Sequence, residues 1–142
     1  MKTQNFSLVG IVLLLLVPIP VSVGAAPGQE KELAGGQWGR QGVVLKIEDE
    51  RASFQDVCFG TGWLPSPIPV DEDGRFDLAG GFRVLPSTGT EYAPARFIGQ
   101  VSKDYLAITV ISTGSAGAEF VRAYVLRRGD RIGRINDCGA QP

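Results

Sequence analysis

Apolar residues recur at every second position in short runs, and this alternation constrains the fold more than any other feature of the chain. Glycine, proline and aspartate separate the runs, which is typical of β-strands joined by tight turns. In the run 43–47, Val43, Leu45 and Ile47 share one face, while Lys46 lies on the other. No run shows the convincing spacing of an amphipathic helix. The sequence therefore predicts an all-β fold.

The number of alternating runs predicts about eight antiparallel strands joined by short turns. The runs cover residues 42–48, 52–58, 75–85, 95–101, 105–112, 119–128 and 131–135. The segment 63–70 contains three prolines and is expected at an edge, because proline cannot donate a ladder hydrogen bond. An up-and-down barrel is the preferred topology, since closure removes exposed strand edges. A two-sheet sandwich has the same alternation and is the alternative.

The N-terminal segment has the layout of a secretory signal peptide. Lys2 precedes an apolar run over 6–17, Pro18 follows it, and small residues lead to a predicted cleavage after Ala25. A retained anchor is the alternative, but the apolar run is shorter than the roughly 20 residues of a spanning helix. We expect a signal peptide over 1–25, a flexible lead-in over 26–36 and a single β domain over 37–142. The mature chain is expected not to insert into a membrane.

Charge limits the classes of partner. Cleavage removes Lys2 as the only charge, which leaves 13 basic and 15 acidic residues and a net charge of about −2. Nucleic-acid-binding surfaces are usually basic, so nucleic acid is not an expected partner. The sequence has no polybasic cluster for anionic lipid either. A small-molecule ligand or an envelope protein remains as the expected partner, and the chain is expected to be a monomer.

Cys58 and Cys138 are the only cysteines, and an exported chain meets an oxidising compartment in which such a pair closes. The sequence therefore predicts one disulfide and a secreted or periplasmic location. A reactive thiol or a metal site is the alternative reading of the two cysteines. The chain contains no histidine, so a zinc site with four nitrogen or sulfur ligands is not expected.

The absence of histidine also bears on catalysis, because histidine is the usual general base of hydrolases. Carboxylates alone could carry acid–base chemistry, and Asp71, Glu72, Asp73 and Asp77 cluster around one predicted hairpin. Aspartate and glycine are also what a tight turn requires, and Gly74 follows too early for a helical calcium loop. We interpret the cluster as a turn, and we predict no metal, no cofactor and no catalytic residue.

Gly36-Gln37-Trp38, close to the first strand, resembles the Gly-x-Trp opening of the calycin group of lipocalin-like barrels. The resemblance implies that Trp38 plugs the closed end of a barrel and that a late arginine, Arg131 or Arg134, packs over it. Small secreted inhibitors of bacterial metalloproteases share this barrel, although their cysteines are closer in sequence.

A wider resemblance is to uncharacterised exported bacterial β proteins. It is carried by Trp38-Gly39 with Gly42-Val43, by Cys58-Phe59-Gly60 and by the hairpin 71–76. This resemblance implies a fold and no function.

Three residues are candidates for ligand binding. Trp63 lies among prolines and could form a binding edge, or instead fill the core or cover a barrel mouth. Arg96 and Arg122 lie in alternating runs, and an arginine facing the interior would need a partner such as Asp56 or an anionic ligand. The leading hypothesis is a non-enzymatic exported barrel that binds a small apolar or amphiphilic ligand in its mouth.

The alternative is an interaction or protease-inhibitor-like module that uses the edge 63–69 or the loop 86–94. A cavity lined by Phe76, Phe82, Phe97 and Phe120 would favour the first hypothesis, and a solidly packed barrel would favour the second.

Overall fold

The computed structural model describes residues 31–87, 89–114, 117–131, 133 and 138. Ten strands lie in this part of the chain: β1 (Lys31–Glu32), β2 (Gly36–Arg40), β3 (Val43–Ile47), β4 (Arg51–Asp56), β5 (Gly60–Pro65), β6 (Pro69–Val70), β7 (Arg75–Val84), β8 (Ala93–Ser102), β9 (Tyr105–Thr113) and β10 (Glu119–Arg128). The same residues contain no helix that is long and apolar enough to cross a membrane. The predicted signal peptide lies outside the described residues.

Eight of the strands form a closed antiparallel barrel in the order β10-β2-β3-β4-β5-β7-β8-β9. Apart from the closing contact between β10 and β2, neighbours in the barrel are barrel strands that follow one another along the chain. The closing contact is short and joins Arg127 to Gly39 and Arg128 to Trp38. The all-β prediction and the eight-stranded up-and-down barrel are therefore confirmed, and the sandwich alternative is wrong.

Aromatic rings fill the centre of the barrel. Phe54 is 1% exposed, and its ring centroid lies 6.2 Å from that of Phe82, 6.1 Å from that of Phe97 and 5.2 Å from that of Tyr124. These residues come from four strands, and each occupies an inward position of the alternation that the sequence shows. Their rings pack at the distances typical of aromatic clusters in protein cores.

Glycine at inward positions makes room for Phe82 and for a further ring, that of Phe76. A Cβ atom at Gly99 would lie 2.2 Å from the Phe76 ring, and one at Gly62 would lie 2.8 Å from the Phe82 ring. Neither position could carry a side chain without displacing an aromatic ring. The barrel is thus a packed core rather than an empty calyx.

The structure corrects one sequence prediction, the flexible lead-in, and refines a second, the edge segment. The lead-in predicted over 26–36 is partly ordered, because Lys31–Glu32 pairs with Pro69–Val70 and Leu33 is only 4% exposed. The edge predicted over 63–70 begins only after Trp63, which pairs with both β4 and β7, whereas Leu64 and Pro65 pair with β4 alone and Pro69–Val70 pairs only with β1. Pairing with β7 ends at Trp63, so Pro65 lies where no β7 partner needs its missing N–H. The strand predicted over 131–135 lies mostly outside the described residues.

Connections alternate between the two ends of an up-and-down barrel. We call the end that β1 and β6 cover the closed end, and the opposite end the mouth. The closed end is covered by β1 and β6, where the backbone N–H of Leu33 donates to the carbonyl of Ile68 at 2.8 Å and Ile68 is fully buried. Trp38 Nε1 donates to the carbonyl oxygen of Ala34 at 3.0 Å on the same side. The mouth is the opposite end, which includes the turn 57–59 and the loop 85–92.

Candidate functional site

The structure separates the three residues predicted to bind a ligand. Trp63 is half-buried on the outer surface of β5, where the guanidinium of Arg51 lies 4.7 Å from its ring centroid, while the adjacent Leu64 fills the core. Trp63 therefore neither fills the core nor forms a free edge. Arg122 lies on the inward register of β10.

Arg96 is exposed on the outer face of β8 and does not point into the barrel, so its proposed role as an interior anchor is wrong. Its guanidinium binds both carboxylate oxygens of Asp77, with Nε 2.6 Å from Oδ1. This hydrogen-bonded pairing holds the pKa of Asp77 below its usual value. Side chains alternate along β8, and Ala95 and Phe97, the neighbours of Arg96, are buried inside the barrel. Arg96 must therefore point outward.

Asp56 is the centre of a polar network at the mouth. It ends β4 on the same inward face as Phe54 and is 3% exposed. Its Oδ1 accepts the backbone N–H of Cys58 at 2.9 Å and that of Phe59 at 3.3 Å. Its Oδ2 accepts the hydroxyl of Tyr124 at 2.9 Å. Three donors thus compensate the burial of one carboxylate.

Tyr124 joins β10 to β4 across the interior through this hydrogen bond. Burial raises the pKa of Tyr124 well above its usual value, and the charge and hydrogen bond of Asp56 raise it further. Arg122 and Arg40 lower the pKa of Tyr124 by smaller amounts, so both arginines act electrostatically on this end of the barrel. The sequence suggested Asp56 as a partner for Arg122, whereas the structure pairs Asp56 with Tyr124.

Arg122 lies above the ring of Phe59, with its guanidinium carbon 3.2 Å from the ring centroid. The side chain is half-buried, on the same inward register as Phe120 and Tyr124. Within the described ranges, the guanidinium of Arg122 contacts Phe59 through this stacking. Its N–H groups form no hydrogen bond or ion pair there, so among the described residues they have no acceptor.

The floor of the mouth is aromatic. The ring of Phe120 stacks on that of Phe82, with 5.0 Å between centroids and an interplanar angle of 19°. Phe82 is fully buried and continues into the central aromatic cluster. A ligand at this end would therefore rest on the rings rather than enter the barrel.

The predicted disulfide between Cys58 and Cys138 is confirmed, and its Cα atoms are 5.4 Å apart. Cys58 adjoins Phe59 in the turn that Asp56 organises. The bond thus attaches residue 138 to the mouth. Of the arginines expected over Trp38, Arg131 is exposed and Arg134 lies outside the described residues. The plug role of Trp38 stays a prediction, although Trp38 is 1% exposed.

Asp71, Glu72 and Asp73 of the acidic cluster lie in a turn, while Asp77 lies in β7. Asp71 Oδ1 accepts the backbone N–H of Asp73 at 2.9 Å and that of Arg75 at 2.8 Å, and Gly74 has a φ of 75°. The turn itself therefore accounts for an aspartate at position 71 and a glycine at position 74. No group of three or more candidate metal ligands occurs among the residues with described positions.

Among the depressions on the outside of the described residues, three have volumes of about 500, 420 and 300 Å³. The largest lies over β7, β8 and β9 and is lined by Asp77, Ile98, Gln100 and Thr109 among others. None of the three is lined by Arg122, Phe59 or the central phenylalanines Phe54, Phe82 and Phe97.

The chain matches no protein-family model, no curated protein and no solved structure.

Proposed function

We propose that the mature chain is an exported, non-enzymatic β-barrel that binds a small amphiphilic anion at its mouth. Arg122 would contact the acidic group, and Phe59 and Phe120 would contact the apolar part. The observation that carries this proposal is the half-buried guanidinium of Arg122, which stacks on Phe59 while its N–H groups have no partner among the described residues.

A guanidinium is the side chain best suited to this role. It presents five N–H donors in a planar fork that matches a carboxylate or a phosphate in two parallel hydrogen bonds. Stacking on an aromatic ring offsets part of the cost of partial burial and holds the plane of the fork. Asp56 does not pair with Arg122 in the described part of the chain, and its oxygens accept two backbone N–H groups and the Tyr124 hydroxyl instead.

The packed interior limits the ligand to a short apolar part. The stack of Phe120 on Phe82 supports a ligand that lies across the mouth, and a tail that fills the barrel would have to displace buried rings. A disulfide indicates a non-reducing compartment, and together with the signal peptide expected over 1–25 it supports a secreted or periplasmic location.

The second candidate is an interaction or inhibitor-like module that binds an envelope protein. Its support is the same solid packing, since a barrel with a filled core needs no ligand. In the first candidate the mouth binds a small ligand, whereas the second candidate needs no ligand there.

Native mass spectrometry of protein purified from an exporting host tests the proposal first, and titration with dodecanoate and dodecyl phosphate by calorimetry follows. We expect either a bound small molecule or binding of one of the two probes. Arg122→Gln should weaken that binding at least about tenfold, because it removes a charge-assisted bidentate contact.

Arg96→Gln is the matched control, because it removes an arginine that is exposed on the outer face. Binding in this variant should match that of the wild type. Equal affinity in Arg122→Gln and wild type would refute the role of Arg122. A bare native mass together with no binding of either probe would favour the interaction module.

A further inference from the structure

The outer face of β9 and β10 is unusually apolar. Tyr105, Val121 and Val125 are 54%, 54% and 55% exposed, more than the other large apolar side chains in the described part of the chain. Cross-strand pairing places Val121 beside Ile111 and Val125 beside Ala107, so these side chains are contiguous. We call this surface the outer β9–β10 face, and it consists of Tyr105, Ala107, Ile111, Val121, Ala123 and Val125. Contiguous apolar patches of this kind mark interaction sites.

The outward-facing residues of β10 are arranged symmetrically about one central residue. They form a row of Glu119, Val121, Ala123, Val125 and Arg127, and all five are exposed. Ala123 is the centre, valines lie two positions away on each side, and opposite charges lie four positions away. Neither Glu119 nor Arg127 has an ion-pair partner within the described ranges.

We propose that the outer β9–β10 face binds a second copy of the chain, with a two-fold axis that passes over Ala123. The two β10 strands then stack face to face and antiparallel. Glu119 of each copy faces Arg127 of the other, and Val121 faces Val125. A two-fold interface places the same surface on both copies, and the row on β10 is complementary to itself only in this antiparallel orientation.

The small residue at the centre supports the same arrangement. Ala123 pairs with Thr109 on β9, so short side chains lie along the proposed axis. Short side chains there allow the two sheets to approach to the roughly 10 Å of packed sheets. The face of one convex barrel covers few strands, so we expect a weak, concentration-dependent dimer. The monomer predicted from the sequence is then the species at low concentration.

Sedimentation velocity over a concentration series, combined with Ala123→Glu, tests the position of the axis. This change places two like charges against each other at the axis and should abolish the dimer. Ala79→Glu is the matched control, because Ala79 is an exposed mid-strand alanine on β7, outside the outer β9–β10 face. It should dimerise like the wild type, and both variants should keep the circular dichroism of the wild type.

Charge reversal tests the orientation. Glu119→Arg and Arg127→Glu should each weaken the dimer about tenfold, since each reverses two surface ion pairs per dimer. An equimolar mixture of the two variants should associate at least as well as the wild type, because every pair is then between opposite charges. The double variant Glu119→Arg with Arg127→Glu should also recover the association.

A wild-type chain that stays monomeric up to millimolar concentration overturns the proposal. A dimer that survives Ala123→Glu, or single charge variants that do not complement each other in the mixture, also overturns it. The ligand-binding proposal is tested separately, because Ala123→Glu leaves Arg122 and Phe59 unchanged and should bind the mouth probe like the wild type.

Discussion

The two ends of the barrel are stabilised by different physical means. At the closed end, Leu33, Ile68 and Trp38 are buried, and the contacts are apolar packing, a backbone hydrogen bond and the hydrogen bond of the Trp38 indole to a backbone carbonyl. At the mouth, a buried carboxylate, a tyrosine hydroxyl and a disulfide connect the strands. Packing is insensitive to pH and redox conditions, whereas the contacts at the mouth depend on both. A change in pH or in redox conditions is therefore expected to weaken the contacts at the mouth more than those at the closed end.

The largest effect expected at the mouth follows removal of the disulfide. Cys58→Ser with Cys138→Ser opens a link between residues 80 apart. The unfolded chain gains conformational freedom, and the free energy of unfolding should fall by about 4 kcal/mol. Urea unfolding measures it, and reduction of the wild type should give the same loss. A loss below about 1 kcal/mol would show that the mouth does not need its covalent link.

At the closed end, Ile68→Ala should lower the free energy of unfolding by about 3 kcal/mol, since it leaves a cavity where a side chain is fully buried. Urea unfolding with and without a reductant checks the change, which should be the same size in both conditions. Val57→Ala at the mouth is the control, because Val57 is 36% exposed. Its loss should stay below about 1 kcal/mol. Equal losses in the two variants would contradict the packing difference between the ends.

Tyr124→Phe is expected to have a smaller effect than either change. It removes one of three donors to a buried carboxylate and should cost about 2 kcal/mol at neutral pH. Tyr92→Phe is the control, because Tyr92 is 42% exposed and keeps its ring under Arg83. Thermal and urea unfolding of the three proteins measure the difference, and a loss as small as that of the control would count against the network.

The pH dependence of Tyr124 sharpens the same test. Because its pKa is raised in the folded state, the hydroxyl stays protonated in the fold while it ionises in the unfolded chain. The unfolded chain therefore binds fewer protons above about pH 10, and stability falls there by about 1.4 kcal/mol per pH unit. Below that pH the contribution is fully present. Tyr124→Phe should lose this part of the alkaline slope, and an unchanged slope would contradict the raised pKa.

The period-two alternation was sufficient to predict an all-β fold of about eight strands, because inward and outward positions carry different residue types along most strands. The choice of a barrel over a sandwich came from the exposed edges that closure removes. Val43, Leu45 and Ile47 are buried as the pattern requires, and β10 has the bounds that its run indicates. The disulfide was predictable from two cysteines and an expected signal peptide. These features depend on local pattern and on composition.

The positions of individual charged and aromatic side chains were less predictable. Arg96 and Arg122 lie in similar runs, and only the strand register decides that one faces solvent and the other faces the interior. The pair of Asp56 with Tyr124 joins residues 68 apart, so only the closed barrel brings them together. The order of Leu33 depends on its contact with Ile68, which local sequence cannot show.

The path of the backbone has a practical consequence for surface attachment. Lys31 begins β1 at the closed end, whereas Cys138 is bonded at the mouth. A tether attached ahead of Lys31 would therefore present Arg122 and Phe59 to the solution, and one attached after Cys138 would hold them near the support. Immobilisation through the N-terminal side is thus the orientation that leaves the mouth open to a dissolved ligand.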